Sequence, residues 1–120
     1  MNQTPSSPID LEQLNQISEG DIEFEIEVLQ VYVEDVHQRL EIMRGAIASS
    51  DHLQVMKEAH HIKGSSSNVG ALQIRDLAVK LEELNLEQDG MKAADLIEEM
   101  FLHIQSVEAF IAEKLSTVVS

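Results

Sequence analysis

The sequence predicts an all-α protein, and three observations lead there. Apolar residues recur at steps of three and four along most of the chain, the period of a helix with one buried face. The apolar material is Leu, Ile, Val, Met and Ala, with three Phe, one Tyr and no Trp, whereas sheet sandwiches use more aromatic residues. Two prolines and five glycines in 120 residues leave long stretches free of helix breakers. This length gives room for one domain around one core.

The elements follow in order. Residues 1–8 are polar, with Ser and Pro, and read as a flexible tail lacking the basic and apolar regions of a signal peptide. A bundle domain is expected over residues 9–115. Asp10 is placed to cap a short covering helix with Leu11, Leu14 and Ile17 at helical spacing, and Ser18-Glu19-Gly20 ends it. Asp21 then caps a long helix to about Ala48, with the stripe Ile22, Ile26, Leu29, Val33, Val36, Leu40, Met43 and Ile47. Phe24, Val31 and Ile42 lie on its other side, where the short helix can cover part of them. Ser49-Ser50-Asp51 opens a third helix reaching about Asn68. After a break at Val69-Gly70, a fourth helix carries Ile74, Leu77, Leu81 and Leu84. Gln88-Asp89-Gly90 turns the chain into a fifth, with Ala94, Ile97, Phe101, Ile104, Val107, Ile111 and Leu115, and residues 116–120 are expected to fray. Four main helices of ~16 to 27 residues with short connections predict an antiparallel up-down-up-down four-helix bundle.

Charge and composition exclude whole classes of function. Twenty-two acidic residues against eight basic ones give a formal net charge of −14. Such a surface repels nucleic acid and anionic lipid, so partners should be proteins; acidity also maintains solubility. Without cysteine there is neither a disulfide framework nor a thiolate metal site. No apolar run approaches the ~20 residues that span a bilayer. These features fit a soluble cytoplasmic protein.

The chemistry concentrates in the third helix, at His60-His61-Ile62-Lys63-Gly64-Ser65-Ser66. At about 100° per residue, with His60 at zero, Val55, Ile62 and Val69 cluster near roughly 200°, with Ala59 and Ser66 just beyond. His60 thus points away from the buried stripe. Leu53, Met56, Lys57, Lys63, Gly64 and Ser67 lie within about 60° of it. A neutral imidazole is a nucleophile able to take a phosphoryl group, and Lys57 and Lys63 can offset the charge of phosphoryl oxygens. Gly64, one turn beyond His60, costs about 1 kcal/mol in a helix interior, which clearance for the group and its partner would explain. Leu53 and Met56 can supply the apolar part of a docking patch or be covered by the neighbouring helix. Ser67 can bond to the site or to water. His61 falls near the flank of the core and is the remaining candidate acceptor.

That run, followed by Val69-Gly70-Ala71, resembles the signature of histidine-containing phosphotransfer (HPt) domains: a histidine, any residue, an apolar residue, Lys, Gly and two small residues, then Gly-Ala at the next helix. Ile9-Asp10-Leu11 and Ser18-Glu19-Gly20-Asp21 resemble the family's entry into its long helix, so the likeness covers residues 9–115. It implies a four-helix bundle in which His60 accepts a phosphoryl group from a receiver-domain aspartate or a kinase and passes it to another receiver, with the motif's lysine and glycine at Lys63 and Gly64. It also implies a carrier with no kinase activity or nucleotide site of its own, and the sequence has no glycine-rich phosphate loop. The expected partners are receiver domains of response regulators or hybrid sensor histidine kinases, with Mg²⁺ on the receiver only and no cofactor or metal on this chain. A starting Met and polar tail favour a freestanding protein, and a core closed internally favours a monomer.

Two rivals are set against this reading. Glu34 to His37 and Glu58 to His61 both match Glu-x-x-His, the pattern of carboxylate-bridged di-iron bundles. Glu34, however, falls about 130° from its helix's apolar stripe, and no inward set of further glutamates is evident. A non-phosphorylated adaptor that binds receivers is the second rival, and the intact His60 argues against it. His37, His52 and His103 carry no pattern that assigns them a role.

Overall fold

The computed structural model describes residues 7–119, leaving residues 1–6 of the expected 1–8 tail and the terminal Ser120 outside the described residues. It contains five helices in chain order: α1 (Leu11–Ser18), α2 (Ile22–Ala48), α3 (His52–Val69), α4 (Leu72–Glu82) and α5 (Gly90–Val119). No strand occurs among the described residues. The pairs α2–α3, α3–α4, α4–α5 and α2–α5 are packed together and close a ring of four, with α1 laid against α2 and α3.

Three aspartates start three of the helices. The Asp10 carboxylate accepts the amides of Glu12 and Gln13 at 3.1 and 3.4 Å. Asp21 accepts from Phe24 at 3.1 Å and Asp51 from Gln54 at 3.2 Å. Each satisfies an otherwise orphaned first-turn N–H. Gly70 ends α3 at φ 82°, and a Cβ there would lie 3.0 Å from the Asp10 carbonyl oxygen. The Asp10 amide donates to the Gly70 carbonyl at 2.8 Å. Glycine is needed twice at this point, for the left-handed turn and for the approach of the segment leading into α1.

The core is aliphatic, with Leu29, Val36, Leu40, Met43, Val55, Ile62, Ile74, Leu81, Ile97, Met100 and Ile104 all buried. Several expected positions are corrected. Ile22 is exposed and Ile47 only half-buried, so the inner stripe of α2 is shorter at both ends than expected. Phe24, Val31 and Ile42 remain exposed, because α1 and the segment before it pack through Leu14 and Ile9 and do not cover that side of α2. In α5 the buried line passes through Ala93 and Met100, leaving Ala94 and Phe101 at its edge. Phe101 is covered instead by the Arg44 guanidinium, 4.1 Å above its ring centre.

The fourth helix is shorter than expected, at 11 residues. Asn85 diverts the chain: its side chain accepts from Glu87 at 3.1 Å, and its carbonyl accepts from Gln88 and Asp89. This is a local alternative to continued helix that asparagine offers readily. Leu84 therefore lies beyond α4, and Leu86 plugs the end of the core. At the other extreme α5 runs to Val119 rather than fraying from 116.

Buried polar groups tie the helices in register. The Tyr32 hydroxyl and Ser66 Oγ lie 2.6 Å apart between α2 and α3. Burial pushes the Tyr32 phenol well above its ordinary value despite that bond, so it stays neutral. Buried Glu25 accepts from Ser18 Oγ at 2.6 Å and from Lys114 Nζ at 2.9 Å, joining α1, α2 and α5. Burial acts to raise this carboxyl, but the Ser18 and Lys114 bonds outweigh it and hold it below the usual carboxylate range. A lowered folded-state value means a stabilising contribution present above the unfolded value and lost as pH falls through the folded one. Glu25→Gln should therefore flatten the loss of unfolding free energy below about pH 4.5 relative to the parent chain, measured by urea unfolding across that range.

Candidate functional site

His60 sits in the middle of α3 with its side chain 73% exposed. Val55, Ala59, Ile62, Ser66 and Val69 on the same helix are buried, and this packing aims His60 outward. The ring is nonetheless held on one side: Nδ1 lies 3.1 Å from Glu82 Oε2 in the last turn of α4. The other oxygen of Glu82 accepts from Lys63 Nζ at 2.9 Å. Burial acts to raise the Glu82 carboxyl, but Lys63 and His60 outweigh it and hold it below the usual carboxylate range. It is ionised at neutral pH and can only accept. The proton of a neutral His60 ring therefore resides on Nδ1, and Nε2 carries the lone pair, pointing to solvent.

The remaining expected residues divide. Gly64 is exposed, and a Cβ built on it meets nothing within 4 Å, so nothing in the bundle itself requires glycine there. Lys57 is exposed and Leu53 is 80% exposed; both stand on the open face with His60. Met56 is half-buried and packs against the core, contributing only part of its surface. Ser67 is turned to its own helix: its hydroxyl donates to the Lys63 carbonyl at 2.9 Å, and its carbonyl accepts from Gln13 Nε2 at 2.6 Å. The site is an exposed helix face rather than a cleft. A surface groove lies elsewhere, beside Val31, Glu34, His37, Gln38 and Glu108 of α2 and α5.

A second cluster joins α3 to α2 beside the site. Buried Glu58 accepts from Arg39 at 2.7 Å and from the Gln54 amide. Arg39 Nε also donates to Asp35 Oδ2 at 3.0 Å, and the same oxygen lies 3.3 Å from His61 Nε2. Burial acts to lower the Arg39 guanidinium, but Glu58 and Asp35 outweigh it and raise it above its ordinary value. Glu58 is thus committed to Arg39, while Glu34 and His37 are both exposed. Among the described residues no three His, Asp or Glu side chains are placed to hold a metal ion, so the two Glu-x-x-His pairs do not converge.

Glu82, Arg39 and Asp35 were not singled out from the sequence, and Glu58 was weighed only as a metal ligand, yet signals for Glu82 and for the true role of Glu58 exist. Glu58 falls at about 160° on the α3 wheel, inside the buried stripe, where a carboxylate demands a cation. Glu82 and His60 lie at comparable distances along the chain on either side of Gly70, and an antiparallel helical hairpin brings such residues together.

Residues 27–113 match the family model of the Hpt domain. The chain is 29% identical over 104 residues to the phosphorelay intermediate protein rdeA of Dictyostelium discoideum, covering 87% of the chain. It spans 41% of the length of that relative. The fold is similar to the crystal structure of histidine-containing phosphotransfer protein B (HptB) from Pseudomonas aeruginosa PAO1. The TM-score is 0.79 at 26% identity, covering 92% of this chain and 96% of that one. Among the described residues no helix is long and apolar enough to cross a membrane.

Proposed function

The chain belongs to the Hpt domain family, and on that footing we propose that it is a phosphoryl carrier of a phosphorelay, with His60 as acceptor. The observation that carries this reading is an exposed imidazole whose Nδ1 is occupied by Glu82 and whose Nε2 is open. An enzyme acting on a small substrate would enclose its nucleophile in a pocket. An exposed nucleophile on a helix face suits delivery by another protein.

The donor is an aspartyl phosphate on a receiver domain. The Nε2 lone pair attacks phosphorus, the N–P bond forms, and the P–O bond to the aspartate breaks with the carboxylate as leaving group. The Nδ1 proton stays in its bond to Glu82, which balances the positive charge the ring acquires. Lys63 can turn from Glu82 towards the phosphoryl oxygens, its charge offsetting theirs in a strongly acidic chain. Transfer to a second receiver is the same step reversed. Mg²⁺ belongs to the receiver, and this chain supplies no kinase activity of its own. Leu53 and Lys57, with the open part of Met56, provide the surrounding docking face.

Lys63→Ala should slow transfer and shorten the lifetime of the phosphorylated form without lowering the unfolding midpoint; unchanged rates would remove its role. Gly64 divides stability from transfer. Gly64→Ala should stabilise the bundle by about 0.5–1 kcal/mol, since helix propensity improves and no clash arises. Gly64→Leu should block transfer while keeping the fold, and undiminished transfer by that variant would refute the clearance argument.

The test of function is transfer from an acyl-phosphorylated receiver, followed by mass spectrometry of the intact chain and its peptides. The carrier gains one phosphoryl group, on His60. A chain that binds the receiver but gains none is an adaptor, and the reading fails.

A further inference from the structure

Two histidines stand side by side in α3, and each has a carboxylate at a different ring nitrogen. Glu82 of α4 meets His60 at Nδ1, 3.1 Å away. Asp35 of α2 meets His61 at Nε2, 3.3 Å away. We propose that Asp35 determines which of the adjacent histidines can carry the phosphoryl group, by keeping His61 out of the chemistry. This inference rests on the phosphoryl-carrier reading above.

Exposure alone does not decide between the two rings. The His61 side chain is 47% exposed, enough for a small donor to reach it. Its electronic state decides. An ionised carboxylate oxygen beside Nε2 repels a lone pair and attracts an N–H, so the proton of neutral His61 is drawn to Nε2. The atom that projects furthest from the backbone is then not a nucleophile. The remaining lone pair is on Nδ1, the ring nitrogen nearer the backbone. A phosphoryl group on Nε2 would also have to displace Asp35 or bear its negative charge at close range.

Asp35 is partly exposed but held from its other side by Arg39. Arg39 Nε donates to the same oxygen at 3.0 Å, and Arg39 is itself fixed by buried Glu58 at 2.7 Å. The chain of contacts from Glu58 through Arg39 to Asp35 fastens a negative charge at the point where His61 would need an open nitrogen. At His60 the arrangement is inverted: the carboxylate takes the inner nitrogen and leaves the outer one bare. The two neighbours are thereby assigned opposite tautomers by opposite helices.

The first measurement uses the parent chain near pH 8, where an imidazole is neutral. Long-range ¹H–¹⁵N correlation spectra of the histidine rings should show His60 protonated on Nδ1 and His61 on Nε2. An unprotonated Nε2 on His61 overturns the proposal without any mutation. The second measurement treats His60→Gln and His60→Gln/Asp35→Ala with phosphoramidate, whose P–N bond breaks with ammonia leaving as the imidazole–phosphorus bond forms. The double variant should phosphorylate at His61 faster than the single one, on the order of tenfold or more. Equal rates in the two overturn the proposal. Should the parent chain accept no phosphoryl group at all, the carrier reading fails; the ring tautomers, which need no transfer, still judge the Asp35 assignment separately.

Discussion

His60→Gln is expected to abolish phosphoryl acceptance while leaving the bundle folded. The side chain is 73% exposed and makes a single hydrogen bond, to Glu82, and surface changes of this kind usually alter stability by ~0.5 kcal/mol or less. Glutamine keeps a polar group able to donate to Glu82 but has no nucleophilic nitrogen. The loss of transfer from a receiver should be complete rather than partial, because no other openly presented ring nitrogen stands in place of the acceptor. Transfer assays and urea unfolding on the same preparation check both halves. Retained transfer at the parent rate would move the acceptor to another residue, and an unfolded variant would contradict the placement of His60 outside the core.

The largest effect on stability is expected at Arg39. Its guanidinium satisfies Glu58, whose side chain is only 8% exposed. Removing one partner of a buried ion pair leaves a charge in a poor solvent, at a typical cost of ~3–5 kcal/mol. Arg39 itself is 28% exposed, so water can enter after truncation, and Arg39→Ala is assigned about 2–3 kcal/mol. That is a large share of the ~5–15 kcal/mol that holds a typical domain together. Replacing both partners, in Arg39→Met/Glu58→Met, should recover much of the loss because no orphaned charge remains. Urea midpoints of the two variants against the parent decide the matter. An unchanged midpoint in Arg39→Ala would mean that Glu58 is not dependent on its partner.

The outward aim of His60 and the burial of Val55, Ile62 and Ser66 were legible from a single helical wheel, because α3 is regular and its apolar stripe is continuous. The caps at Asp10, Asp21 and Asp51 were legible for a similar reason: a capping carboxylate acts within three residues of its own position. What was not legible depends on neighbours distant in sequence. The sequence draws the stripe of α5 through Phe101, whereas Met100 is the residue buried and Phe101 lies at the edge under the Arg44 guanidinium of α2. The length of α4 turned on Asn85, whose local bonds compete with a helix that Leu84 would otherwise continue. Glu82 required knowing that α3 and α4 form a hairpin of a particular register. Ser67 and Met56 lie on the correct face by angle, yet one hydroxyl is spent on its own helix and one side chain leans into the core.

In the proposed phosphoryl carrier, Lys63 and Glu82 rest as a pair. Before transfer the lysine is neutralised by a carboxylate that also holds the histidine, so the reactive face is not a bare cationic patch. An incoming phosphoryl group offers Lys63 a more highly charged partner, while Glu82 retains the Nδ1 proton. One carboxylate thereby sets the ring's tautomer and stores the cation that the product needs.

The most direct test of the account is the position of phosphorus on the ring. A uniformly ¹⁵N-labelled chain, phosphorylated and observed by ³¹P and ¹H–¹⁵N spectroscopy, should carry its phosphoryl group on Nε2 of His60, with Nδ1 still protonated. Phosphorus on Nδ1 of His60, or on a residue other than His60, would contradict it.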